Sequence, residues 1–193
     1  MGRLAIPMTN FLKKTGRYEG FDIVERGVQW CQKNIATKHS NFNFKYVPLL
    51  NDLYTQHEQQ AATFTFPYSN NTFDKVVLLS VFTHMTPPEV ANYMQEIKRV
   101  LKKGGLCYAT FFIINEEAKT KMKAPFVFAH EYEYHYLMNQ QVQAANVAYK
   151  EPFLKKVFLK ENELTLEHIH YGWWCGREKA TCVQFQDVVI FSA

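Results

Sequence analysis

The spacing of apolar positions changes period along this 193-residue chain, and each change marks an element. The central stretch, residues 64–114, is the clearest. Asp74-Lys-Val-Val-Leu-Leu-Ser80 is a short apolar run without polar alternation, the pattern of a strand buried on both faces of a parallel sheet. Thr86-Pro-Pro-Glu89 follows as a helix start, with a hydroxyl at the cap, proline at the first helical position and glutamate three residues on. Val90, Tyr93, Met94, Ile97, Val100 and Leu101 then recur at helical spacing in one apolar stripe. Lys98, Arg99, Lys102 and Lys103 crowd its last turns, where the helix dipole favours cations, and Gly104-Gly105 is placed to stop it. Residues 106–114 are a second apolar run. Strand, amphipathic helix and strand form a right-handed βαβ unit, so the fold class is α/β.

Other segments follow the same logic. Residues 2–16 read as a helix with Pro7 inside its pattern and Gly16 at its stop. A short strand at 18–23 ends in an acid, a helix spans 25–35, and 42–50 is a strand shortened by Pro48. Residues 51–63 read as a loop or loose helix. Residues 115–129 are a polar connection, 140–150 and 151–160 read as helices separated near Pro152, and 164–171 and 183–192 are strands. There are no internal repeats or low-complexity linkers, so residues 1–193 are expected to form one domain, with 115–163 as a substrate-side insertion or lid.

Composition narrows the function classes. With a formal charge of +4 and no basic run, no nucleic-acid partner is expected. The apolar patch at residues 4–8 is too short for a signal peptide, and Ile6 stands where myristoylation requires Ser or Thr. No segment has the length of a membrane span. Cys31, Cys107, Cys175 and Cys182 show no metal-finger spacing and read as reduced thiols of a cytoplasmic protein.

In open α/β sheets ligands sit at the carboxyl ends of strands, which directs attention to Asp22, to Pro48 and Leu49, and to residues 80–85. Asp22 reads either as an acceptor for ribose hydroxyls or as a solvated strand-end acid. His84 is a general base or a structural imidazole. His168 and His170 share one strand face, but no acid or thiol follows at ligand spacing, so no metal site is expected. Tyr132, Tyr134, His135 and Tyr136 are a substrate lid or packing for the helices after them.

Taken together, Tyr18-Glu-Gly-Phe-Asp-Ile23, Phe66-Pro-Tyr, Thr72-Phe-Asp-Lys-Val-Val-Leu-Leu-Ser-Val-Phe-Thr-His-Met85 and Glu96-Ile-Lys-Arg-Val-Leu-Lys-Lys-Gly-Gly105 resemble motif regions of class I S-adenosylmethionine-dependent methyltransferases. The tail, Ile169-His-Tyr-Gly-Trp-Trp-Cys-Gly-Arg177 and Gln186-Asp-Val-Val-Ile190, is similar to the last two strands of one bacterial-type subgroup of that family. The resemblance implies a Rossmann-like fold, a mostly parallel twisted sheet flanked by helices with an antiparallel last strand. It implies S-adenosylmethionine as cofactor and a small-molecule or protein acceptor. Asp22 would meet the ribose and Ile23 the adenine. Ser80 and Val81 would line the methionine portion, with His84 facing substrate.

The chain departs from the family in two places. Pro48-Leu49 stands where an acid usually meets the adenine, leaving Leu49 as the contact there. The family's first, central strand and glycine-rich loop are missing, and Gly2 matches the last glycine of that loop. The expectation is therefore a truncated domain with impaired cofactor binding and two open sheet edges through which copies could associate. The alternatives are a catalytically inactive binding or scaffold protein, or a fragment of an active enzyme.

Overall fold

The computed structural model of the chain describes residues 2–193, which fall into two compact units, residues 2–59 and 60–193. The first unit begins with helix α1 (Ala5–Phe11), which carries Pro7 in its first turn, where a missing N–H costs nothing. Strand β1 (Tyr18–Asp22) leads to helix α2 (Glu25–Cys31), extended by a wider turn over Gln32–Ala36. Strand β2 (Phe42–Tyr46) then pairs parallel with β1, Tyr18 opposite Phe42 and Asp22 opposite Tyr46. Ala5, Cys31, Ile35 and Phe42 form the core of this unit, with Met8, Leu12, Tyr18, Trp30 and Phe44 against them.

The second unit carries the central motif. Strand β3 (Phe73–Leu78), helix α3 (Pro87–Val100) and strand β4 (Leu101–Phe111) make the expected βαβ crossover. The helix start is built as its residues dictate: Glu89 Oε2 accepts from both the backbone N–H (2.6 Å) and the hydroxyl (2.8 Å) of Thr86. Val90, Tyr93, Met94, Ile97 and Val100 are its buried stripe. Each such side chain contributes about 1.5–3 kcal/mol when fully buried.

Strand β5 (Ile113–Ile114), helix α4 (Glu116–Lys121), strands β6 (His130–Glu131), β7 (His135–Leu137) and β8 (Val147–Lys150) and helix α5 (Glu151–Phe153, continuing through Leu154–Leu159) follow. Strands β9 (Thr165–His170) and β10 (Asp187–Ser192) close the chain. One sheet runs β3-β4-β10-β9, with β10 antiparallel to both neighbours, as the family resemblance implies for the last strand. A second sheet runs β5-β8-β7-β6.

The mixed α/β class holds, but several local expectations change. Helix α3 ends at Val100, because Leu101, 1% exposed, pairs with Phe73 and Lys102 Nζ meets the Asp74 carboxylate at 2.9 Å. Lys102 and Lys103 therefore lie outside the helix. Residues 140–150 are not a helix: after a single turn at Gln143–Ala145 they form β8, whose buried Val147, Ala148 and Tyr149 sit between β5 and β7. Strand β3 is not buried on both faces. Among the described residues its strand partner is β4 alone, and Val77 is 39% exposed. Among the described residues three strand pairings are parallel and four antiparallel, spread over three sheets.

Candidate functional site

In the first unit, Asp22 closes β1 and is exposed. Its Oδ1 accepts the Val24 N–H at 2.9 Å, which turns the chain sharply into α2, and its backbone carbonyl accepts from Val47 at 3.1 Å. A single bond leaves the carboxylate most of its acceptor capacity. Ile23 follows it, half-buried. Gly2 has a left-handed φ of 63°, and a Cβ there would lie 3.1 Å from Ile35 and 3.3 Å from Trp30, so only glycine fits without displacing the core. Burial raises the Cys31 thiol pKa and the Asp22 carboxylate adds to the shift, while a hydrogen bond from Gly2 opposes it. Gly2, Asp22 and Cys31 thus share one neighbourhood. Leu49, 1% exposed, donates its N–H to the carbonyl of Val47, the residue whose own N–H meets the Asp22 carbonyl, and its carbonyl accepts from the Thr55 hydroxyl.

In the second unit, Ser80, Val81 and His84 fall on one turn between β3 and α3. Ser80 has φ of 56°, unusual for a residue other than glycine. Its N–H donates to Thr110 Oγ1 at 2.7 Å and its hydroxyl to Gln186 Oε1 at 3.0 Å. Val81, half-buried, opens a helical turn over Phe82–His84, and its carbonyl accepts the His84 N–H at 2.9 Å. His84 Nδ1 lies 2.8 Å from the Ala144 carbonyl. A carbonyl can only accept, so Nδ1 carries a proton in this bond. The Tyr149 hydroxyl donates to the Met85 carbonyl at 2.5 Å. Burial, with Glu89 nearby, holds the Tyr149 phenol far above its usual pKa, so it remains a neutral donor. Thr110, Gln186, Ala144 and Tyr149 thus fix the turn from three separate parts of the chain.

The aromatic cluster splits. Tyr136 is 6% exposed and belongs to a core with Phe112, Phe128 and Trp174. Tyr132 is 38% exposed and stacks on His135 at 4.8 Å, and Tyr134 stacks on Phe153 at 4.4 Å. His168 and His170 remain an exposed pair with ring centres 5.8 Å apart. No group of three or more metal-ligating side chains occurs among the described residues. A cleft of about 410 Å³ lined by Asn70, Gln95, Lys98, Arg99 and Glu161 contains none of the candidate residues.

Sequence reading missed one centre. Asp187 is fully buried and accepts from the N–H groups of Ile113 (2.6 Å) and Gly172 (2.7 Å), from the Trp174 indole (2.7 Å) and from Arg177 (3.4 Å). Arg177 continues to Glu117 at 2.9 Å and Asn115 at 3.2 Å. Its only sequence signal was an acid opening an otherwise apolar strand.

No helix among the described residues is long and apolar enough to cross a membrane. A family model described as a methyltransferase domain matches residues 2–109. The fold is similar to that of a protein from Pyrococcus horikoshii OT3, at 15% identity and a TM-score of 0.65, covering 99% of this chain and 76% of that one. It is similar to a SAM-dependent methyltransferase from Methanosarcina mazei, at 16% identity and a TM-score of 0.58, covering 98% and 97%. A third likeness is to the 1,6-didemethyltoxoflavin-N1-methyltransferase of Burkholderia thailandensis, solved with 1,6-didemethyltoxoflavin and S-adenosylhomocysteine, at 12% identity and a TM-score of 0.53, covering 97% and 74%. With more than half its length matched by the family model, the chain belongs to the methyltransferase-domain family, the class I S-adenosylmethionine-dependent methyltransferases.

Proposed function

We propose that the chain transfers a methyl group from S-adenosylmethionine to a small-molecule acceptor, with a protein nucleophile as the other acceptor class. The observation that carries this is the Ser80–Met85 turn, held at the carboxyl end of β3 with the His84 imidazole on it. The residues fit the cofactor: Asp22 is an exposed strand-end carboxylate with acceptor capacity for a ribose diol, and Ile23 beside it offers an apolar face for the adenine. Gly2 and Leu49 complete the set of cofactor contacts in this reading, and Ser80 and Val81 serve the methionine portion.

The cofactor supplies, when bound, a methyl group already activated by a sulfonium charge. What the chain must do is hold the acceptor in line and keep water away. For an O–H or N–H acceptor, His84 Nε2 takes the proton as the new bond to carbon forms. The Nδ1–H bond to Ala144 steadies the imidazolium that results. Buried, unpaired Cys107 and Cys175, whose thiols burial pushes up, are not the nucleophiles. Reduced cysteines support a cytoplasmic setting.

One observation favours a second reading, a methyltransferase-like binding protein without turnover. Among the described residues β1 bonds to β2 alone and β3 to β4 alone, which leaves two open edges and an expectation of weak cofactor binding or self-association. Titration calorimetry with S-adenosylhomocysteine separates the two. Saturable binding at about micromolar to tens of micromolar concentration supports the transferase. A folded chain that shows none up to about a millimolar supports the second reading.

A further inference from the structure

Strand β3 leaves its sheet at an unusual place. The parallel ladder with β4 ends at Leu78 opposite Ala109, and two residues later the backbone turns left-handed at Ser80. A serine adopts that conformation at a cost, and it persists only where the surroundings over-determine it. Here the Ser80 N–H, which would otherwise look for a ladder carbonyl, donates to the side chain of Thr110 (2.7 Å). Thr110 is 1% exposed, so its hydroxyl is shielded from water. The Ser80 hydroxyl donates to Gln186, 106 residues further along the chain.

The backbone at Gln186 is packed closely against Gly172. A Cβ on Gly172 would lie 2.2 Å from the Phe185 carbonyl oxygen and 2.5 Å from that of Gln186, so the two backbones are in direct contact. The next residue, Asp187, is the buried carboxylate that gathers Gly172, Trp174 and Arg177. The Gln186 side chain therefore reaches Ser80 from a backbone packed on Gly172 and adjoining the Asp187 centre.

We propose that Thr110 and Gln186 are positioning residues that hold Ser80 in its left-handed turn and so set the affinity for the methionine portion of the cofactor. The assignment rests on the reading of Ser80 and Val81 as contacts to that portion. Neither residue touches the reacting atoms; both act through Ser80.

The test uses the full chain, with S-adenosylhomocysteine as the calorimetric probe and amide hydrogen exchange at Ser80 as a ligand-free readout. Thr110→Val keeps the branched shape and removes the hydroxyl. It is expected to weaken binding about tenfold and to speed exchange at Ser80 by a similar factor, while Thr110→Ser stays within about threefold of the parent on both. Gln186→Leu is expected to act in the same direction. In a Ser80→Gly background, where the backbone needs no restraint, the Thr110→Val change is expected to cost no more than about threefold. The proposal is overturned if a folded Thr110→Val chain binds and exchanges like its parent, or if its loss is undiminished in the Ser80→Gly background. Should the parent chain bind no S-adenosylhomocysteine at all, the transferase reading fails. The Ser80 exchange comparison still decides whether Thr110 holds the turn.

Discussion

The indole N–H of Trp174 donates to the carboxylate of Asp187 at 2.7 Å, inside a core where Trp174 is 4% exposed and Asp187 not at all. This bond joins the Gly172–Gly176 loop to the first residue of β10, and through the Ile113 N–H it also reaches β5. A buried carboxylate tolerates its surroundings only while its oxygens are occupied. Trp174→Phe keeps an aromatic ring, smaller than the indole, and removes the donor. It is expected to destabilise the chain by about 1–3 kcal/mol, read as a lower urea midpoint with an unchanged slope. An unchanged midpoint would show that the other three donors suffice.

The same carboxylate makes stability depend on pH. Burial pushes the Asp187 pKa up to about 7 from 3.8, against the opposing pull of its donors and Arg177. Between those values the folded state keeps a proton that the unfolded state has released. Stability from this group is therefore full below about pH 4 and falls as pH rises toward 7, by at most about 4 kcal/mol. Burial, with Lys150, lowers the His135 pKa, so that imidazole works in the opposite sense, losing stability as pH falls below its usual range. The difference between parent and Asp187→Asn isolates the carboxylate. Going from pH 5 to pH 8, the parent's urea midpoint is expected to fall relative to the variant's, with the His135 contribution common to both. Equal pH dependence in both chains rules the carboxylate out as the cause.

Asp22 is exposed and bonds only the nearby Val24 N–H through Oδ1 among the side-chain contacts described, so its removal should leave the fold nearly intact. Asp22→Ala is expected to weaken S-adenosylhomocysteine binding by about 1–3 kcal/mol, roughly 5- to 150-fold, because a charged acceptor for the ribose diol is lost. Calorimetry beside a thermal melt separates a binding loss from an unfolding one. Unchanged affinity removes Asp22 from the site.

Elements written in local chemistry were readable in the sequence. The Thr86–Glu89 start of α3, its apolar stripe and the strand-end position of Asp22 all depend on residues within a few positions of one another. The end of α3 was not readable, because it depends on Leu101 finding Phe73 and Lys102 finding Asp74, 28 residues away in each case. Residues 140–150 carry Gln, Ala and Val at spacings a helix would accept. Tertiary pairing of Tyr149 with Ile113 and His135 decides for a strand. The candidate turn was located through Ser80, Val81 and His84, yet the groups that hold it stayed hidden. Ala144, Thr110 and Gln186 lie 60, 30 and 106 residues from their partners on the turn. Nothing in a polar residue's own neighbours announces such a bond.

His84 presents the sharpest test of chemistry. Its Nδ1–H is committed to Ala144, so any base work falls to Nε2. Asparagine places an amide N–H close to where Nδ1 stands and offers no basic nitrogen in place of Nε2. His84→Asn should therefore keep the bond to Ala144 and the shape of the turn while removing the proton acceptor. With an O–H or N–H acceptor, turnover is expected to fall by about 10²–10⁴. With an acceptor supplied already ionised, such as a thiolate, the loss should shrink to a few-fold, since no proton remains to be taken. Two equal losses would assign His84 to placing the acceptor or holding the turn, because only a base distinguishes a nucleophile that carries its proton from one that does not.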